Sequence, residues 1–554
     1  MIKISIKSFR KYLAVAFVAV SVFLAGCAPS IEIPDSEVAL YFDENSAVKD
    51  NGNKTFNGIS ATQTVKDMTV GWNLGNTLDA TGGSGLSSET SWSQPKTTKA
   101  MIDGLANSGI KTIRIPVSWS NHMNKKNYTI DSAWMNRVKT IVDWAIEDGM
   151  YVILNDHHDN FGSPAKMTTA AGYYPNKVNK NESERFLLNL WTQIALAFNN
   201  GYDEHLIFET LNEPRLAGTN NEWWFDSNNA TCREAADCLN EYNQLILDTI
   251  RKSGGNNQKR YVSCPGLQAS PDSAFASAFK MPQDDEKGKL ILSVHMYTPN
   301  SFAMESPGET IFTSSHQSNL DYYFSKLNNS FISKGYPVII GEMGATNKDN
   351  LDERVKWFTY FLTESRKYGM TSCLWDNGSW QVQGNNYKEH YGFYNRTNQT
   401  WYFPEILDAM VQATGSTPAN ISTNTEDESP KEDVVILENK SGITNGYSTS
   451  FTLDEAFDLT GYKYLKTEIY CPNAENADSR ELFVKFFNTN WKSVIAQAST
   501  ISVSATLYAE IQEPTEGNKE VKVIQYFIQN SADTDTIDGL TFQIKKVTAT
   551  NTKN

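Results

Sequence analysis

From about residue 56 to 413, short β-branched apolar runs alternate with longer stretches in which apolar residues recur at helical spacing, the pattern of parallel strands joined by crossover helices. Eight runs read as strands: 69–74, 111–117, 151–156, 205–210, 260–264, 290–294, 337–340 and 371–375. Between them, 132–148 carries Trp134, Val138, Ile141, Val142 and Ala145 near helical spacing, and 183–198 is similar. Eight such units predict a closed (β/α)8 TIM barrel over 56–413. The next stretch, 414–432, is rich in Ser, Thr, Asn, Pro and acids without apolar period, and reads as a linker. Beyond it, over 433–554, the helical signal gives way to alternating runs at 462–470, 481–487, 507–511, 521–528 and 540–546. These predict an all-β sandwich.

The N-terminus departs from this pattern. Lys3, Lys7, Arg10 and Lys11 precede an apolar run over 13–25 that is too short to span a bilayer as a helix, so 1–26 reads as a signal peptide. Its end, Leu24-Ala25-Gly26-Cys27, resembles the lipobox of bacterial lipoproteins, which implies a lipid on Cys27 and a tether over 27–55. Ala28 is not the Asp that retains some lipoproteins in the inner membrane, so the outer membrane or cell surface is the expected location.

The chain has 554 residues, a net charge of -15 and 12% aromatic residues. The acidic balance excludes a nucleic-acid binder, which needs a basic face, and favours a neutral partner. Thirteen Trp and twenty-five Tyr suit the flat faces of sugar rings, although much of this content belongs to the core. Five Cys remain after lipidation. Cys232 and Cys238 are near enough in sequence for a local disulfide, unless a helix between them holds the thiols apart, while Cys264 and Cys373 sit in strand-like runs as buried thiols. No Cys has metal-ligand spacing, and neither metal nor cofactor is expected.

In such a barrel the working groups project from the C-terminal ends of the strands. Strand two ends near Arg114, strand three at His157-His158, strand four at Asn212-Glu213, strand six at His295-Met296-Tyr297, strand seven at Glu342 and strand eight at Trp375. Two carboxylates facing each other across the mouth are what glycoside hydrolysis needs, one protonated to assist the leaving oxygen and one ionised to attack. Glu342, near Arg114 and the Tyr297 hydroxyl, reads as the nucleophile. Glu213 reads as the acid/base, with a pKa expected to be raised by the field of Glu342.

These residues, with Gly71-Trp72-Asn73-Leu74-Gly75-Asn76-Thr77-Leu78-Asp79, Arg114-Ile115-Pro116, Asn212-Glu213-Pro214, Gly341-Glu342-Met343-Gly344 and Trp375-Asp376, resemble glycoside hydrolase family five of clan A. Within it, subfamily four, with its endo-β-1,4-glucanases and xyloglucanases, is the most similar. The resemblance implies a retaining endo-β-1,4-glucan hydrolase acting on plant cell-wall polysaccharide. It implies Glu213 and Glu342 as the catalytic pair, Asn212 on the 2-hydroxyl of the reacting sugar, and Arg114, His157, His295, Tyr297 and Trp375 around that sugar. Trp375 would be its platform, Asn73 a polar contact deeper in the cleft, and His158 a further neighbour. Trp92, Trp119, Trp223, Trp224 and Trp380 line further subsites or belong to the core. The expected partner is a β-glucan bound by a monomer, with membrane contact only through the N-terminal lipid. A β-mannanase or xylanase on the same barrel, or a non-catalytic glycan-binding lipoprotein, are the alternatives. The sandwich is expected to be a carbohydrate-binding module that presents Tyr462, Tyr464 and Tyr470 on one face, with Trp491 as a further contact.

Overall fold

The computed structural model describes residues 40–163, 171–381, 389–421, 433–443, 448–472, 480–493, 498–500, 504–511, 519–530 and 541–551. Cys27 and the signal segment lie outside the described residues. Two compact units divide the chain after Ile421.

In the first unit eight parallel strands close a barrel in sequence order: β1 (Val70–Asn73), β2 (Thr112–Ile115), β3 (Tyr151–Asn155), β4 (Leu206–Glu209), β5 (Val262–Pro265), β6 (Leu290–Met296), β7 (Val338–Met343) and β8 (Thr371–Leu374). Each is buried along almost its whole length, which is why the runs are largely apolar and lack the alternation of a half-exposed strand. The crossover helix Ser132–Glu147 starts where the Asp131 carboxylate accepts the Ala133 N–H, a cap that contributes about 1 kcal/mol. It buries the stripe Trp134, Val138, Ile141, Val142 and Ala145 against the strands.

Alternation along the strands sorts the barrel interior into layers. The floor is apolar: Ile153, Ile207, Tyr261, Ile291, Ile339 and Cys373 cluster with Phe56, Ala61, Val65 and Met68, the last three from the short helix Ala61–Asp67 and its end. One step up each strand the interior turns polar, with Asn73, Arg114, Asn155, Glu209 and Ser293 all fully buried. The rim carries the candidate site.

Two boundaries differ from expectation. Residues 40–55, expected as tether, are tied to the barrel: Asn189 Oδ1 accepts the Tyr41 N–H at 2.7 Å, and the Asp50 carboxylate accepts the N–H groups of Asn199 and Gly201. Residues 414–421, expected in the linker, also return to it, with the Ala419 N–H bonded to the Ala106 carbonyl and the Asn107 amide to that of Ile421. Both segments also pack a few apolar side chains on the barrel, Phe42 and Val48 from the first and Ala419 and Ile421 from the second, too few and too scattered to write a periodic pattern. The disulfide is not formed. Cys232 and Cys238 lie on one helix, Ala230–Lys252, as buried free thiols.

A small ribbon, β9 (Tyr394–Asn395) and β10 (Thr400–Trp401), follows the barrel. The second unit stacks two antiparallel sheets. One has the order β11 (Val434–Ile443), β18 (Thr541–Thr550), β13 (Tyr464–Tyr470), β16 (Ser504–Glu510); the other β12 (Ser448–Asp458), β17 (Glu520–Asn530), β14 (Arg480–Phe487), β15 (Ala498–Thr500). Leu465, Ile469, Val484, Phe486, Ile524 and Tyr526 share their core. On β13, Leu465 and Ile469 are buried while Tyr470 is exposed. Tyr462, expected beside Tyr464 and Tyr470, precedes the strand and instead packs on the core, its ring 5.6 Å from that of Phe457. Trp491 is 58% exposed in the turn after β14.

Candidate active site

The centre of the rim is the Arg114 guanidinium, which is fully buried. Its Nε donates to Glu209 Oε2 at 2.8 Å, Nη1 to Asn73 Oδ1 at 2.9 Å and to Glu342 Oε1 at 2.8 Å, and Nη2 to Asn212 Oδ1 at 2.7 Å. Burial pushes its pKa down, but the charges of Glu209 and Glu342 outweigh this and push it up. One cation thus holds strands β1, β2, β4 and β7 in register at the level of the chemistry.

Glu342 reaches the interior through a bulge. On β6, Ile291, Ser293 and His295 alternate inward, and on β7 Ile339 and Gly341 do the same. Strict alternation would then turn Glu342 outward. The ladder instead shifts between Val294 and His295, so that Val294 pairs with Ile340 while His295 pairs with Glu342. The extra residue, Gly341, flips the phase and brings Glu342 into the mouth. A side chain at Gly341 is disfavoured, because a Cβ there would lie 3.1 Å from His295 Nε2 and 3.3 Å from Glu209 Oε1. The second carboxylate oxygen of Glu342 accepts the Tyr297 hydroxyl at 2.9 Å.

Glu213 stands opposite, half-buried, with Oε1 at 2.7 Å from His295 Nδ1. That same nitrogen is 3.6 Å from Glu342 Oε2. One oxygen of each glutamate and a ring nitrogen of His295 lie within 4.8 Å of one another. So close an approach of the two carboxylates suits the separation of about 5 to 5.5 Å in retaining glycosidases better than the about 6.5 to 9.5 Å of inverting ones.

The electrostatics correct one expectation. Burial pushes the Glu213 carboxyl up, but the hydrogen bond and charge of His295, with Arg215 and Arg114 behind it, outweigh burial and hold it below the usual range. His295 moves the opposite way: burial pushes it down, while Glu342 and Glu213 together raise it. The expected rise of Glu213 counts only the field of Glu342 and leaves out the imidazole between the two. The acid proton of the free site resides on a Glu213–His295 pair and is closer to the imidazole.

His157 is buried, its ring parallel to the Trp375 indole with centroids 5.8 Å apart. Burial, and then the fields of His158, Arg114 and other cations, keep it neutral. Trp375 fits over Gly75, where a Cβ would lie 2.9 Å from the indole. His158 is half-exposed, set edge-on to His157 and 3.8 Å from Asp79, and burial lowers its pKa to about 4.

Two expected sugar contacts have other work. Asn73 is fully buried, its carbonyl taken by Arg114 and its amide donating to the carbonyls of Gly341 and Leu374 at 2.9 and 3.2 Å. It braces the bulge and the guanidinium, and no part of it faces the cleft. Arg114 likewise acts from beneath. Reasoning from the sequence passes over Glu209, whose carboxylate accepts from Arg114, from Asn155 at 2.9 Å and from Ser293 at 2.6 Å. The signal is present in β4, where an acid two residues after Ile207 must point into the barrel.

Among the described residues, two groups are close enough to hold an ion, Asp79 with His157 and His158, and Glu213 with His295 and Glu342. In the second a metal would have to displace the His295 proton and compete with Arg114 for Glu342. In the first the Asp79 carboxylate is occupied by the N–H groups of Asn76 and Thr77.

Residues 77–381 match the family model described as Cellulase (glycosyl hydrolase family 5). The chain is 44% identical over 362 residues to Endoglucanase B of Ruminococcus albus, covering 65% of this chain and 82% of that protein. It is 41% identical to Endoglucanase A of Clostridium longisporum over 384 residues, covering 68% of this chain and 69% of the relative. Among solved structures it is similar to a GH5-4 broad specificity endoglucanase from Ruminococcus champanellensis with bound cellotriose. That match has a TM-score of 0.59 and 40% identity, and covers 64% of this chain and 99% of that one. A glycoside hydrolase 5 lichenase from Caldicellulosiruptor in complex with cellotetraose gives a TM-score of 0.60 at 40% identity, covering 66% of this chain and 98% of the other.

Proposed function

Because the chain belongs to glycosyl hydrolase family 5, we infer that its barrel is a retaining endo-β-1,4-glucan hydrolase, and we propose the subfamily-four type that accepts cellulose, xyloglucan or mixed-linkage glucan. The observation that carries the mechanism is the close pair of glutamates with the His295 imidazole between them. Glu342, held by Arg114 and Tyr297, attacks the anomeric carbon as the glycosidic oxygen takes the pair's proton through Glu213, to which His295 passes it, and an ester to Glu342 forms. The imidazole is then neutral and Glu213 ionised. Glu213, now a base, takes a proton from water, which displaces the ester. With its carbonyl on Arg114, Asn212 offers its amide N–H groups to the 2-hydroxyl, and Trp375 offers its face to the reacting ring. Reducing-sugar release on carboxymethyl cellulose, xyloglucan, barley β-glucan, glucomannan and xylan tests this reading. The β-glucans should be cleaved fastest, and activity confined to glucomannan or xylan would replace the assignment.

The shared proton sets the expected pH profile. Since Glu342 and Glu213 hold His295 above its ordinary range, the alkaline limb of kcat/KM should report loss of the pair's proton as pH rises through the raised value. His295→Ala leaves Glu213 as a lone carboxyl, and the limb should move to lower pH. An unmoved limb would assign it to another group.

We further propose that a lipid on Cys27 anchors a monomeric enzyme at the outer membrane or cell surface, and that the sandwich binds glycan as an accessory module. The lipobox supports the first, and the exposed Tyr470 and Trp491 the second. Cys27→Ala should release the protein into the soluble fraction, and unchanged membrane fractionation would rule out the anchor.

A further inference from the structure

Tyr297 lies one residue beyond β6, outside the ladder that pairs His295 with Glu342, yet its hydroxyl meets Glu342 Oε2 at 2.9 Å. A hydrogen bond of that length depends on the set of the ring, because the hydroxyl sits at the end of a side chain with two rotatable bonds. The ring is half-buried, and Tyr391 packs against it edge to face, with centroids 5.5 Å apart and planes at 64°. Tyr391 itself is only 4% exposed, so it packs within the protein and is not offered to the cleft.

Tyr391 is fixed on several sides. Its hydroxyl donates to the Ala303 carbonyl at 2.9 Å, which also accepts the Thr346 N–H at 2.9 Å. Ala303 belongs to the loop that follows Tyr297. The Lys348 ammonium binds that loop too, donating to the carbonyls of Ser301, Phe302 and Glu309 at 3.2, 2.7 and 3.1 Å. The Asn377 N–H donates to the Tyr391 carbonyl at 3.2 Å, and the Asn347 N–H to that of His390 at 3.0 Å. At Gly344, two residues after Glu342, the ring takes the space of a side chain, since a Cβ there would lie 3.1 Å from Tyr391 Cδ1. The Tyr391 ring therefore adjoins both the segment that carries the nucleophile and the phenol that holds it.

We propose that Tyr391 is a positioning residue for the attack, whose ring sets the Tyr297 phenol so that its hydroxyl steadies Glu342. This rests on the reading of Glu342 as the nucleophile of a glucanase. Attack needs a carboxylate lone pair aimed at the anomeric carbon, and Arg114 and Tyr297 hold one oxygen each. Arg114 is locked in its own buried network, so the aim of the carboxylate depends on the set of the Tyr297 ring.

The value of kcat/KM on dinitrophenyl cellobioside isolates the attack, because that leaving group needs no proton from Glu213. Tyr391→Leu should lower it about tenfold, but only about twofold or less when added to Tyr297→Phe, which has already lost the hydroxyl. Tyr391→Phe keeps the ring and should recover most of the rate. Gly344→Ala presses on the same ring and should cost about threefold, again only where the Tyr297 hydroxyl is present. It decides the question if Tyr391→Leu does not fold. Equal losses with and without the Tyr297 hydroxyl would make Tyr391 a general support of the fold and overturn the proposal. So would a loss in Tyr391→Phe as deep as in Tyr391→Leu, which would place the effect in the bond to Ala303. No turnover of the aryl cellobioside by the wild type would instead sink the glucanase reading, and this proposal with it.

Discussion

Glu342→Ala is expected to lower turnover by roughly 10⁴- to 10⁶-fold on every substrate, because the residue forms the bond on which both halves of the reaction depend. Its position is fixed by Arg114 at 2.8 Å, Tyr297 at 2.9 Å and the bulge at Gly341. Glu213→Ala should behave differently. It should lose about 10²- to 10⁴-fold on glucans, but should still form the ester from aryl glycosides whose leaving groups need no proton. Azide, small enough to enter the space of the lost side chain, should then accelerate breakdown of the ester and give a β-glycosyl azide. Steady-state kinetics of both variants on barley β-glucan and on dinitrophenyl cellobioside, with and without azide, check this. Equal and unrescued losses in the two would mean that the roles are wrongly divided.

Arg114→Leu should carry the largest cost in stability. The guanidinium is fully buried between Glu209 and Glu342 and also fills the acceptor positions of Asn73 and Asn212. Its removal leaves Glu209 buried without a cation and Glu342 with the more distant His295 imidazole alone, a loss of about 3 to 5 kcal/mol. In the variant those carboxylates would have folded-state pKa values above their unfolded ones. The deficit should therefore shrink as pH falls and they protonate, and grow as pH rises. Urea unfolding at pH 5 and pH 8 measures it. Adding Glu209→Leu should recover part of the stability but none of the activity, since Glu342 would still lack its anchor. An Arg114→Leu protein as stable as the wild type at pH 8 would show that the network does not hold the barrel.

All eight barrel strands are legible in the sequence because each is buried on both faces and so writes a short, largely apolar or small-residue run bounded by polar stretches. The rim residues are legible because a polar group that ends such a run loses its hydration unless it lines a cleft or joins a hydrogen-bonded network. What the sequence hides depends on contacts between strands. The phase shift at Gly341 exists only in the pairing of β7 with β6, so its effect on Glu342 cannot be read from β7 alone. Asn73 has the look of a sugar contact, yet depth in the barrel, which no local pattern encodes, makes it a brace. Glu209 is different, since β4 itself carries the signal for an inward acid. The sign of the Glu213 shift depends on a histidine 82 residues away in sequence at 2.7 Å, which pairwise reasoning about the two glutamates leaves out. In the second unit the strands Val434–Ile443 and Ser448–Asp458 stay hidden because they are rich in exposed, polar positions that blur the alternation.

Double displacement requires that this chain cut β-glucans through an ester on Glu342, and that ester can be trapped. In a 2-deoxy-2-fluoro cellobiosyl fluoride the 2-fluorine slows both formation and breakdown of the ester, while the good leaving group restores formation alone, so the ester accumulates. Incubation with it, followed by mass spectrometry of the digested protein, should give one glycosyl adduct, on the peptide containing Glu342. An adduct on Glu213, or none while the wild type still hydrolyses β-glucan, would refute the mechanism.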